Sequence, residues 1–68
     1  MDIQWEDNYE IAVRIENGTT VITANEAGLK SLAKIMNDMA ERDEKSHIHL
    51  DKNNSLEDSS SELIIEKI

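Results

Sequence analysis

The chain has 68 residues, of which 15 are Asp or Glu and 7 are Lys or Arg, for a formal net charge of −8. Such a surface repels phosphate backbones and anionic headgroups, which argues against nucleic acid and membranes as partners and favours a basic protein. There is no cysteine, so disulfides and thiolate metal centres are excluded, and a chain this short buries only about 60% of its unfolded surface, so it needs an efficient core, self-association or a partner.

The first seven residues hold no basic and apolar leader pattern. No later run approaches the roughly 20 apolar residues of a membrane span. The expectation is one cytoplasmic domain over residues 1–68. Ile3 and Trp5 alternate with polar neighbours and predict a short first strand, ended by a turn at Asp7-Asn8. Tyr9, Ile11, Val13 and Ile15 then alternate with Glu10, Ala12, Arg14 and Glu16, the period of a half-buried strand.

Asn17-Gly18 is a strong hairpin signal, because both residues tolerate the positive φ of a type I′ turn. A two-residue loop sets the register. It pairs Glu16 with Thr19, Ile15 with Thr20, Arg14 with Val21, and Val13 with Ile22. Thr23-Ala24-Asn25-Glu26 fits a capping box, with Asn25 as an alternative N-cap. The helix that follows is expected to reach about Arg42. Its apolar stripe reads as Leu29, Leu32, Ala33, Met36, Met39 and Ala40, spaced by threes and fours. Gly28 costs a helix interior about 1 kcal/mol relative to alanine, which points to a close approach of helix and sheet.

His47-Ile48-His49-Leu50-Asp51 reads as a strand with His47, His49 and Asp51 on one face. Alternate strand residues lie about 6.6 Å apart. An adjacent pair can share a surface ion, but zinc ligands about 2 Å from the metal cannot span the whole row without a bend. No catalytic pattern is present: no glycine-rich phosphate loop and no nucleophile elbow, and little volume for a substrate pocket. No cofactor is implied. Residues 52–61 are polar apart from Leu56 and read as a mobile or partner-contacting loop. Residues 62–68 form a last strand, whose consecutive Leu63, Ile64 and Ile65 must leave something apolar on the sheet's open face.

The elements imply an α+β domain, an antiparallel sheet of about five strands in βββαββ order packed on a single helix. Its core is expected from Ile11, Val13, Ile15, Ile22, Leu29, Leu32, Ala33, Met36, Met39, Ile48 and Leu50, with one side of the last strand. An open face with apolar residues also fits a homodimer that pairs through that face or an edge.

Three segments carry a resemblance: Asn25-Glu26-Ala27-Gly28-Leu29-Lys30-Ser31-Leu32-Ala33, His47-Ile48-His49-Leu50-Asp51, and Ser61-Glu62-Leu63-Ile64-Ile65-Glu66-Lys67. In this order and spacing the chain resembles the bacterial immunity protein 32 family of polymorphic toxin systems. The resemblance implies a non-catalytic α+β protein that binds and neutralises a cognate toxin. The acidic balance adds the expectation of a basic surface on that toxin. The candidate contact residues are His47, His49, Asp51, Glu57, Asp58 and Glu62, on the exposed strand face and the long loop. A weak metal-binding module on the His47, His49 and Asp51 face is the chemical alternative.

Overall fold

A computed structural model describes residues 3–68. The order is β1 (Ile11–Glu16), β2 (Thr19–Ala24), α1 (Glu26–Ala40), β3 (Ser46–Leu50) and β4 (Leu63–Lys67). The protein is α+β, but its strands form two antiparallel hairpins, β1-β2 and β3-β4, instead of one five-stranded sheet. The strand expected at Ile3–Glu6 is absent. The Glu6 N–H donates to the hydroxyl of Ser31 on the helix, 2.9 Å away, so this segment crosses the helix rather than joining a ladder. Ile3 and Trp5 still pack on the core, and Trp5 stacks on Tyr9 with ring centroids 4.5 Å apart.

The first hairpin has the register set by Asn17-Gly18. Both residues adopt positive φ, 50° and 81°. The turn at Asp7-Asn8 also forms, with Asn8 at φ 63° and the Tyr9 N–H donating to the Glu6 carbonyl.

Asn25 is the N-cap of α1, and its Oδ1 accepts the Gly28 N–H at 2.7 Å. The same oxygen accepts the Glu10 N–H, and Nδ2 donates to the Asn8 carbonyl. One side chain therefore fastens the helix to the entry of β1. The helix ends at Ala40, two residues before the expected Arg42. Its last turn holds no basic residue. The ammonium of Lys67 on β4 donates instead to the carbonyls of Ala40 and Arg42, where a cation offsets the negative end of the helix dipole.

The buried face of α1 is Gly28, Ser31, Leu32, Ile35 and Met39. This corrects the expected stripe: Leu32 and Met39 are buried, but Leu29 is 57% exposed and Met36 46% exposed, and Ala33 and Ala40 are exposed too. Small residues set the rotation. A Cβ on Gly28 would stand 2.4 Å from the Glu10 carbonyl oxygen and 2.9 Å from Ile11. Ser31, fully buried, donates to the Ala27 carbonyl and accepts from Glu6. The helix rolls toward the residues that allow the closest contact.

The core cluster joins Ile11, Val13, Leu32, Leu50 and Leu56, flanked by Ile3, Trp5, Tyr9, Ala24, Ile48 and Leu63. Ile15, near the hairpin's tip, and Ile22, opposite the buried Val13, were expected in the core but are exposed, and Ile48 is only half-buried. Leu56, expected in a polar loop, is buried. The segment between β3 and β4 is built, not loose. The Asp51 carbonyl accepts N–H bonds from Asn54, Ser55 and Leu56. Glu57 N–H donates to the Ile11 carbonyl, Ser61 N–H to the Val13 carbonyl, and Val13 N–H to the Ser60 hydroxyl. These residues take the outer edge of β1 that a fifth strand would have filled. Among the described residues no helix is long and apolar enough to cross a membrane.

Candidate functional site

Directly paired residues of an antiparallel ladder share a face. His47 pairs with Glu66, His49 with Ile64, and Leu50 with Leu63. The outer face of the β3-β4 hairpin therefore displays His47, His49, Ile64 and Glu66, and the two-residue period adds Glu62. Ile48, Leu50, Leu63 and Ile65 turn inward, where Leu50 is buried and the others are half-buried. Alternation in two short strands thus separates an exposed His-Glu face from a core face.

The imidazoles of His47 and His49 meet edge to face with centroids 5.1 Å apart. His49 Nδ1 lies 3.2 Å from Glu62 Oε2, within hydrogen-bonding distance. Each of these two side chains is about half exposed, 50% and 51%. Behind the ring, the amide of Asn54 donates to the His49 carbonyl at 3.1 Å. At the open end of the hairpin, His47 and Glu66 share a hollow of about 350 Å³ with Lys45, Ser46, Lys67 and Ile68.

Of the six candidate residues, the structure brings His47, His49 and Glu62 together. Asp51 is turned to another task. Its carboxylate accepts the Asn53 N–H at 2.8 Å, and its own N–H donates to the Asn54 side chain. It organises the loop and does not extend the histidine row into a three-ligand site. Among the described residues no three His, Cys, Asp or Glu side chains are grouped to hold a metal ion. Glu57 and Asp58 are exposed. Glu57 lies midway along the loop, where it lines a small hollow with Glu10 beside the β1-β2 hairpin.

Two members of the face were not singled out from sequence. Ile64 is 46% exposed between charged neighbours, and Glu66 stands across from His47. The signal for both is the register of the second hairpin. No tight turn fixes it in the sequence, because twelve residues separate Leu50 from Leu63.

Among the described residues the chain is an α+β fold of one helix and two antiparallel strand pairs, and the outer face of β3-β4 sets charged and imidazole side chains around the half-exposed Ile64. The chain belongs to the immunity protein 32 family, whose model matches residues 19–68. That span covers β2 to the C-terminus and all the residues of the His-Glu face. No curated protein and no solved structure matches the chain.

Proposed function

We propose that this chain is a cytoplasmic, non-catalytic immunity protein that neutralises a cognate toxin by binding it. Membership of the immunity protein 32 family is the observation that carries the reading. The net charge of −8 supports a toxin with a basic surface, since opposite fields speed encounter and raise specificity. In this reading the outer face of β3-β4 docks on the toxin. Ile64 is the apolar centre, His47, His49, Glu62 and Glu66 form the rim, and Glu57 and Asp58 extend the contact along the loop. Asp51 acts indirectly, by holding the loop.

Exposed carboxylates would meet Arg or Lys of the toxin, where burial makes a charge-assisted hydrogen bond stronger than it is in water. No nucleic acid, membrane or cofactor is needed. The proposal expects a toxin gene beside the gene for this chain, and the test is co-expression with that neighbour's product, followed by isolation of the complex. Rescue of growth and a stable complex are expected. Full toxicity in the presence of the folded protein would sink the proposal.

A further inference from the structure

Four exposed apolar residues of α1 form a continuous row. Leu29, Ala33, Met36 and Ala40 follow one another at steps of four, three and four, so they share one face of the helix. All four are exposed. A hollow of about 200 Å³ lined by Met36, Met39, Ala40 and Ile65, with Glu66 and Lys67 beside them, extends the row toward β4. Such a stripe on a chain of this size calls for cover.

We propose that a second copy of the chain covers it, with two α1 helices packing antiparallel about a two-fold axis. The row is complementary to itself in that arrangement. With the axis between Lys34 and Ile35, Leu29 of one copy lies opposite Ala40 of the other, and Met36 opposite Ala33. Each large side chain faces a small one. Leu29 of the second copy reaches the hollow beside Ala40. Antiparallel packing also places Lys30 of each helix next to Glu41 of the other, so the symmetric contact gains two opposite-charge pairs. In the single chain Lys30 has only the exposed Glu26, 3.3 Å away, a pairing that is worth little. The four residues of the row carry no charge, and the hollow that receives Leu29 adds one charge of each sign, Glu66 and Lys67. A two-fold interface must be self-complementary, and this row meets that condition in size and in charge.

Four side chains and a shallow hollow make a contact smaller than the standard interface of about 800 Å² per partner. The dimer should therefore be weak, with dissociation on the order of micromolar. Sedimentation equilibrium of the purified chain, from low micromolar to millimolar concentration, tests it. The expected result is a monomer–dimer equilibrium. Met36→Glu should weaken it at least about tenfold and leave the helical circular dichroism unchanged, since Met36 is already exposed. Lys30→Glu and Glu41→Lys should each weaken it about fivefold, and the double variant should restore it. A wild-type chain that stays monomeric throughout overturns the proposal. So does a dimer that Met36→Glu leaves intact, or a double variant no stronger than the singles. If the chain is monomeric and Met36→Glu instead weakens toxin binding, the row belongs to the toxin and the proposal fails.

Discussion

Gly28 and Asn25 hold the helix where it is. A Cβ at position 28 would press on the Glu10 carbonyl, on Ile11 and on Ala24 at 2.4, 2.9 and 3.1 Å, and the first of these is backbone that cannot swing aside. Gly28→Ala gains about 1 kcal/mol of helix propensity, yet overpacking costs about 1–3 kcal/mol. Contact at 2.4 Å places the cost at the upper end, so the variant should be less stable by about 1–2 kcal/mol. Urea denaturation checks this, and an unchanged or higher midpoint would contradict the close approach. Asn25→Ala removes the cap and two bonds that tie the helix to Asn8 and Glu10. Its loss should reach about 2 kcal/mol, the top of the capping range, in the same experiment. Gly28 was legible in the sequence as a glycine out of place in a helix; Asn25 was legible only as the alternative to a capping box at Thr23, which instead lies in β2. Ser31 was not. A buried serine inside a helix carries no signal of the Glu6 N–H that comes to it from 25 residues away.

At the scale of elements, local chemistry was readable and long-range choices were not. Asn17-Gly18 carries its own backbone preference, so the first hairpin and its register follow from two residues. The helix carries more apolar residues than the small sheets can cover, and periodicity cannot choose between adjoining stripes. The stripe through Ile35 is buried and the one through Met36 is not. The segment after Asp51 looks like any polar loop, because its order comes from backbone bonds to Ile11 and Val13, Val13 being 47 residues from Ser60. Leu56 anchors it in the core at 5% exposure. Leu56→Ala should cost about 2–4 kcal/mol and loosen the loop. Ile15→Ala, at 63% exposure, should cost less than about 1 kcal/mol. Thermal unfolding of the two variants measures the contrast, and equal losses would contradict the assignment of core and surface.

Across the whole molecule, three faces take separate roles. The inward sides of both hairpins and one side of α1 make the core, the outer side of β3-β4 displays the His-Glu face, and the Leu29 to Ala40 row lies apart on the helix. The candidate site was half legible. Period-two alternation placed His47 and His49 outward, and the structure brought Glu62 to them. It took the hairpin register to add Ile64 and Glu66 and the turn geometry to withdraw Asp51. Because these face residues are exposed, substitutions there should separate binding from stability. The most direct measurement is calorimetric titration of the cognate toxin that the proposal expects with the wild-type chain and with the His49→Ala/Glu62→Ala variant. Tight binding by the wild type is expected, weakened at least about tenfold in a variant whose unfolding midpoint is unchanged. Absence of wild-type binding, or equal binding by both proteins, would contradict a toxin-neutralising role for this face.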